Sequence, residues 1–150
     1  MCEAVMIWDD LSNWEPRTFG PEQRLINSLY QWALFIWLYC IVHVDGIADV
    51  KLQTAVERAI EDLEQIQPMS GVKSCLLFPL FIIGTASIEA NHQEIVRSQF
   101  QNLREWSGLG NVKVAQQIVQ RSWSNHDNNI PRSWDWIAQM KMHGVSVSVT

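Results

Sequence analysis

The sequence predicts an all-α fold, in which five or six helices of a single domain pack as an antiparallel bundle around two central, wholly apolar helices. Hydrophobic residues make up 47% of the 150 residues and charged residues 18%, a composition that supplies the core of one domain. Apolar residues recur at spacings of three and four through most of the chain, which is the helical period. The alternation typical of strands occurs only in the final "VSVSVT". This pattern favours helix bundles over sheets.

The two ends of the chain are expected to lie outside the helices. Residues 1–20 are rich in Trp and contain "WEPRTFGP", which predicts an irregular N-terminal segment. Residues 144–150 are expected to form a frayed tail. Pro21 can occupy the first turn of the first helix, where its missing N–H costs nothing, and this helix ends near Val44, before "DG".

This first helix contains the most apolar stretch of the sequence, "LYQWALFIWLYCIV". No charged residue occurs between Trp32 and Val42. That run is shorter than the roughly 18 residues that span a bilayer. Polar residues lie on both sides of it, with Gln31 before it and His43 and Asp45 after it. We therefore expect a buried helix of the core and no membrane contact.

The second helix is amphipathic, and the third is apolar. "ADVKLQTAVERAIEDLEQI" alternates an apolar and a charged face, with Asp49 as the expected N-cap. The third helix, from Val72 to Ala90, contains "LLFPLFIIG". Because proline inside a helix removes a hydrogen bond, Pro79 predicts a kink there. This helix and the first one form the expected central pair.

Three further helices complete the prediction. The fourth runs from His92 to Trp106 and ends at "SGLGN", and the fifth is capped by Asn111. Pro131 opens a short last helix that carries Trp134.

Charge and cysteine content exclude several classes of site. The net charge is −5, with no run of Lys or Arg, so we expect no nucleic-acid binding. The cysteines Cys2, Cys40 and Cys75 are odd in number and form no CxxC pair, which predicts neither a zinc site nor a disulfide framework. No phosphate-binding or hydrolase motif is present, so we expect no metal and no cofactor. The N-terminus lacks the pattern of a signal peptide, which favours a cytoplasmic protein.

Four segments, taken in order, resemble a known family. They are "LYQWALFIWLY", "LLFPLFIIGTASIEA", "QFQNLREWSGLGNVKVAQQIVQRSW" and "SWDWIAQM", and together they cover the chain from about Trp14 to Met142. The ordered set resembles the C-terminal part of the fungal-specific transcription-factor domain that accompanies zinc binuclear clusters. The resemblance implies a helical regulatory or ligand-sensing domain.

The chain departs from that family in one respect. The resemblance implies that DNA-binding members carry a module of six cysteines holding two zinc ions, and no such module occurs in this sequence. The chain is therefore either a fragment of a longer regulator, and then nuclear, or a small stand-alone relative. The initial Met1 favours the stand-alone relative.

Acidic residues beside aromatic ones are the candidates for chemistry. Asp10 lies between Trp8 and Trp14 in "IWDDLSNWEP". It either caps a helix or is an acid held against indole rings. Burial of that kind raises the pKa of a carboxyl group, so that it could protonate an epoxide, alkene or carbonyl. Indole faces would stabilise the resulting cation.

Glu89 and His43 each have a structural and a functional interpretation. Glu89 follows an apolar run and is either solvated or an acid at the mouth of a pocket. His43 shares a helix face with Tyr39 and is either a helix-terminal residue that favours the dipole or a proton shuttle. The predicted catalytic residues are Glu89, Asp10 and His43, and the predicted substrate-binding residues are Trp8, Trp14, Trp37, Tyr39 and Phe81.

Two functions follow from these observations. The first is a small cofactor-independent enzyme of fungal secondary metabolism, which binds a bulky apolar small molecule and catalyses an acid-driven rearrangement, isomerisation or cyclisation. The alternative is a non-catalytic regulatory domain of a fungal transcription factor that senses a ligand or forms a homodimer. The absence of a zinc cluster favours the enzyme, and the family resemblance favours the regulatory domain.

Overall fold

A computed structural model describes residues 2–13, 20–67, 71–108 and 110–144, and every regular element in those ranges is helical. This confirms the all-α class for the described part of the chain. Seven α-helices are present there instead of five or six: α1 (Cys2–Asn13), α2 (Pro21–Val42), α3 (Val50–Glu64), α4 (Leu77–Ala86), α5 (Ala90–Ser107), α6 (Gly110–Asp127) and α7 (Trp136–His143). A 3₁₀ helix spans Gly71–Cys75. The antiparallel bundle and the single domain stay predictions.

Helix α1 occupies most of the segment that the sequence predicted to be irregular. Ala4, Trp8 and Leu11 lie at spacings of four and three and are the half-buried residues of its inner side, so a helical signal was present. The helix was not predicted because the segment is rich in Trp and is followed by Pro16, which favoured an irregular segment. Residues 14–19, which include Trp14, lie outside the described residues.

Helix α2 packs against α4, as the predicted central pair requires, but it is not buried all round. Its packed side faces α3 and α4 and holds the buried residues Ile26, Leu29, Ala33, Phe35, Ile36 and Cys40. Its outer side exposes Leu34, Ile41 and Val42. The helix is shared between the core and the surface.

By length and composition, α2 could also cross a membrane. It has 22 residues, and 33% of its most apolar window is buried inside the protein. Core helices of water-soluble proteins pass the same test, so the observation is weak evidence for a membrane span. The expected absence of membrane contact stays a prediction.

Helix α4 is almost wholly buried, as predicted, but Pro79 lies near its start and not in its interior. Nine of its ten residues are buried. Pro79 is the third residue of α4, in the first turn, where an N–H group has no acceptor within the helix. The chain instead breaks between the 3₁₀ helix and α4. Helix α4 also ends at Ala86, four residues earlier than predicted.

Helix α3 confirms the amphipathic pattern, with its apolar face buried. Asp49 occupies the N-cap position but makes no capping hydrogen bond with its side chain. Its carboxylate instead accepts a hydrogen bond of 2.8 Å from the Tyr39 hydroxyl. The residue thereby joins the start of α3 to the end of α2.

The last three helices differ from prediction at their starts. Asn111 lies inside α6, because α6 begins at Gly110. Helix α7 begins at Trp136 instead of Pro131, and the carboxylate of Asp135 caps it by accepting a 3.0 Å hydrogen bond from the Ala138 N–H. Of the predicted tail, residues 145–150 lie outside the described residues.

Indole N–H groups connect the later helices to the centre. Trp123 of α6 donates a 2.8 Å hydrogen bond to the carbonyl of Gly84 in α4. Trp134 donates a 3.0 Å bond to the carbonyl of Val44, just after α2. These two bonds reach a Gly84 carbonyl that also accepts a 3.1 Å bond from the Ser87 N–H, and a Val44 carbonyl just beyond the end of α2. They fix α6 and the segment before α7 against the central helices.

Candidate functional site

Helix α1 lies along α2 and covers part of its apolar side. The rings of Trp8 and Phe35 are 3.9 Å apart between centroids, and the Gln31 side chain donates a 2.7 Å hydrogen bond to the carbonyl of Leu11. Because the later α1 residue contacts the earlier α2 residue, the two helices run in opposite directions. None of residues 4–13 is fully buried, so α1 is a shallow cover.

Two hollows lie between α1, α2 and α3. The first, which we call the Val42 compartment, has a volume of about 520 Å³. Its described lining residues are Ala4, Val5, Trp8, Phe35, Leu38, Tyr39, Val42, His43 and Lys51. The second, the Trp32 compartment, has a volume of about 490 Å³. Its described lining residues are Trp8, Leu11, Ser12, Ser28, Gln31, Trp32, Phe35, Lys51, Thr54, Ala55 and Arg58.

The two compartments meet at three residues. Trp8, Phe35 and Lys51 line both of them. We therefore treat the compartments as one feature, the α1–α3 groove. Each volume lies in the range of about 300–1,000 Å³ that is usual for small-molecule sites, and mostly apolar walls with a few polar groups are also usual there. The geometry suits an apolar ligand.

The charged side chains that line the groove are positive. Its described lining residues include Lys51 and Arg58 but no Asp or Glu, although the whole chain carries a net charge of −5. The Lys51 ammonium lies 5.8 Å from the centre of the Trp8 ring. Arg58 is paired with Glu61 at 3.2 Å. Carboxylates behind the walls bond to other lining residues, with Asp49 on Tyr39 and Asp62 on Ser28, so Lys51 is the described cation of the groove that has no carboxylate partner.

A row of rings forms one wall of the Val42 compartment. The Tyr39 ring lies 4.5 Å from the His43 ring and 5.9 Å from that of Phe35, so Tyr39 and His43 do share a face. The hydrogen bond to Asp49 raises the pKa of Tyr39, because it stabilises the protonated phenol, and burial adds to the effect. The Tyr39 hydroxyl is therefore a neutral donor.

The predicted acids lie away from this groove. Asp10 is exposed and lines a separate hollow of about 580 Å³ together with Tyr30 and Cys75. Glu89 is the N-cap residue of α5; its side chain is 64% exposed and lies 3.9 Å from the His92 ring. Neither carboxyl group has the indole-lined burial that an acid catalyst would need.

Two of the predicted substrate-binding residues belong to the core. Trp37 and Phe81 both contact the ring of Trp136, at 5.6 Å and 5.3 Å between centroids. Phe81 is completely buried. The structure thus brings Trp8, Tyr39 and His43 together and places Trp37, Phe81, Asp10 and Glu89 elsewhere (Trp14 lies outside the described residues). The catalytic and substrate-binding roles stay predictions.

Metal ligands do not cluster in the described structure. Across residues 2–13, 20–67, 71–108 and 110–144, no group of three His, Cys, Asp or Glu side chains is placed to hold a metal ion.

Comparison with known families decides the classification. The family model described as "Fungal specific transcription factor domain" matches residues 4–150. The chain belongs to this family. The match confirms the resemblance carried by the four sequence segments and extends it to α1. Comparisons with curated proteins and with solved structures gave no match.

In this fungal-specific transcription factor domain, sequence reasoning missed two residues of the groove. Phe35 was read as one of many apolar residues of α2, and Lys51 as part of the solvated face of α3. The stripe of Ala4, Trp8 and Leu11 could have revealed α1 and hence a cover over α2. No sequence signal places Lys51 next to Trp8, because that contact joins two helices that are far apart along the chain.

Proposed function

We propose that the chain is a non-catalytic regulatory domain of a fungal transcription factor, which senses an apolar small molecule in the α1–α3 groove and acts in the nucleus. The family match over residues 4–150 supports the regulatory part of the proposal. The groove, with its aromatic and aliphatic walls, supports the sensing part. The observation that carries the proposal is the family match.

The position of α1 suggests how binding is transmitted. A ligand in the groove touches α1 on one side and α2 and α3 on the other. Since no residue from 4 to 13 is fully buried, α1 has few contacts of its own, and a ligand adds contacts that hold it in place. Binding to one conformation shifts the population toward it. The outer side of α1, with Met6 exposed, would then present a fixed surface to a partner.

The enzyme hypothesis has less support. A general acid must reach the reacting group within hydrogen-bond distance, and the described groove walls contain no carboxyl group. His43 is the only one of the three predicted catalytic residues that lines the groove. Turnover of an apolar metabolite that is abolished by His43→Gln, Asp10→Asn or Glu89→Gln, with helicity retained, would establish the enzyme function.

A reporter assay tests the regulatory proposal. The chain is fused to a heterologous DNA-binding module in a yeast reporter strain, and cultures receive apolar extracts of a fungus that encodes it. Leu38→Trp fills the Val42 compartment, whereas Ile137→Trp adds the same ring on exposed α7. We expect the wild type and Ile137→Trp to change reporter output on addition, and Leu38→Trp to be unresponsive.

Two results of the reporter assay would contradict the proposal. A reporter whose output is the same with and without extract in all three proteins argues against ligand sensing. A response that persists unchanged in Leu38→Trp argues against the groove as the site. Sedimentation of the purified chain separately tests whether it forms a homodimer.

A further inference from the structure

We propose that the ligand of the α1–α3 groove is an organic anion: an apolar body that fills the Val42 compartment, joined to a carboxylate that Lys51 binds. This inference rests on the proposed function, since it names the class of ligand that the same groove takes. It depends on the charge, the pairing and the position of one lysine.

Lys51 has no anionic partner within the described structure. No described carboxylate lies within 4.0 Å of its ammonium group, whereas Arg58 and Arg97, both also exposed, are each paired with a glutamate on their own helix. Its ammonium group lies 5.8 Å from the centre of the Trp8 ring. A ligand carboxylate would supply the charged partner, and a charge-assisted hydrogen bond is among the stronger polar contacts.

The place of Lys51 suits a ligand with one charged end. It lies at the junction of the two compartments, at the second position of α3. The helix dipole favours negative charge at this end of α3. From that point, Leu38, Val42 and Ala4 provide aliphatic contacts along the Val42 compartment, and Phe35 provides an aromatic one. A carboxylate at Lys51 would direct its apolar body into that compartment.

Other ligand classes fit less well. A cationic ligand would be repelled by Lys51, with no described acid in the groove wall to offset the repulsion. A neutral apolar ligand would gain no charge-assisted contact with Lys51. The anion is therefore the class that the groove selects.

Calorimetric titration with two ligands of matched shape tests the inference. The probes are 2-naphthoate and neutral 2-naphthol, each titrated into the full chain near pH 7. We expect the wild type to bind 2-naphthoate about tenfold more tightly than 2-naphthol, a typical gain from one charge-assisted contact. Added salt should weaken only the binding of 2-naphthoate, because it screens the charge.

Three variants identify the groups responsible. Lys51→Gln should lower the affinity for 2-naphthoate to that for 2-naphthol while leaving 2-naphthol binding unchanged. Lys113→Gln removes another exposed lysine, on α6 and outside the groove, and should keep the tenfold preference. Leu38→Trp should lose both ligands. Circular dichroism and thermal unfolding confirm that each variant is folded.

The outcomes separate this inference from the proposed function. Equal binding of both probes by the wild type would overturn the anion inference and leave the groove as a site for apolar ligands. Retention of the preference in Lys51→Gln would also overturn it. Binding of neither probe would contradict both the anion inference and the sensing part of the proposed function.

Discussion

Gly84 lies where α4 and α6 approach closely. A Cβ atom at this position would be 2.9 Å from Cγ1 of Val119 and 3.2 Å from Cγ1 of Val96. Both neighbours are β-branched and have restricted rotamers. The same residue presents its carbonyl to the indole of Trp123. The absence of a side chain at Gly84 thus permits both the packing and the hydrogen bond.

Gly84→Ala should therefore lower the free energy of unfolding by about 1–3 kcal/mol, the usual cost of overfilling a packed core. Gly110→Ala is the matched control, because Gly110 is also helical and its Cβ would meet no atom within 4 Å. Urea unfolding followed by circular dichroism measures both. A Gly84→Ala variant as stable as Gly110→Ala would contradict the close contact of α4 with α6.

The indole of Trp123 should contribute through its N–H as well as its area. Trp123→Phe removes this bond, but the Gly84 carbonyl keeps the 3.1 Å bond from the Ser87 N–H, so we expect a loss of about 0.5–1.5 kcal/mol in the free energy of unfolding. Trp106 is 50% exposed, so Trp106→Phe should change it by less than about 0.5 kcal/mol. Equal losses in chemical denaturation would exclude a specific role for the hydrogen bond.

Helices α1 and α4 differ strongly in how far their side chains are buried. Helix α4 has nine buried residues of ten, whereas residues 4–13 of α1 are all partly or fully exposed. Local opening is governed by the buried contacts that must be broken. The helix that covers the groove is thus the one that the fold holds least firmly.

Amide hydrogen exchange measures this difference. We expect amides of α1 to exchange faster than those of α4 by about two orders of magnitude or more, since α1 opens locally and α4 opens only with the core. A bound groove ligand should slow exchange in α1 and leave α4 nearly unchanged. Protection of α1 equal to that of α4 in the free protein would contradict the view of α1 as a loosely held cover.

At the scale of the whole molecule, three groups that ionise at high pH have raised pKa values. Burial raises the pKa of the Cys40 thiol to about 12. Burial first and the nearby Cys75 second raise the pKa of Tyr30, and the hydrogen bond to Asp49 raises that of Tyr39. In each case the folded state favours the protonated, neutral form. All three therefore favour folding at neutral pH and oppose it at high pH.

The stability of the wild type should fall as the pH rises above about 9. The unfolded thiol of Cys40 loses its proton near its ordinary pKa of 9.0, whereas the folded one keeps it to about 12. Between these values the folded state binds more protons, so the Cys40 contribution decreases by up to about 1.4 kcal/mol per pH unit. Urea unfolding from pH 7 to 10.5 measures the slope.

Cys40→Ala separates this contribution from the rest. The variant should be less stable at pH 7, because it leaves a cavity, but its stability should fall less steeply above pH 9. Parallel slopes for the two proteins would show that Cys40 does not retain its proton in the folded state.

Local patterns predicted the elements whose burial follows their own periodicity. The spacing of Leu52, Val56 and Leu63 fixed the face of α3, and the same reasoning located α5 and α6 to within a few residues. The predicted helix boundaries were wrong where packing against other parts of the chain determines where a helix begins or ends. Pro79 predicted a kink from its sequence position alone, but the break before Leu77 moved it to a first turn, where proline is tolerated.

The candidate site could be predicted only in part. Tyr39 and His43 lie four residues apart on one helix, so their shared face followed from helical geometry. Trp8 was expected near a ligand, and it does line the groove. Lys51 and Phe35 were missed because their roles depend on a contact between three helices. Asp10 and Glu89 were predicted from aromatic or apolar neighbours in sequence, but both side chains are exposed in the structure.

By itself, the sequence determined the all-α class, the family and the apolar character of α2 and α4, because these depend on composition, period and motif order. Tertiary structure alone decided which side of α2 is left outside the core and that α1 lies over part of it. It also decided that a lysine without a described anionic partner faces the resulting groove. The physical reason is that helical period specifies a face, whereas a groove arises from how the faces of separate helices meet.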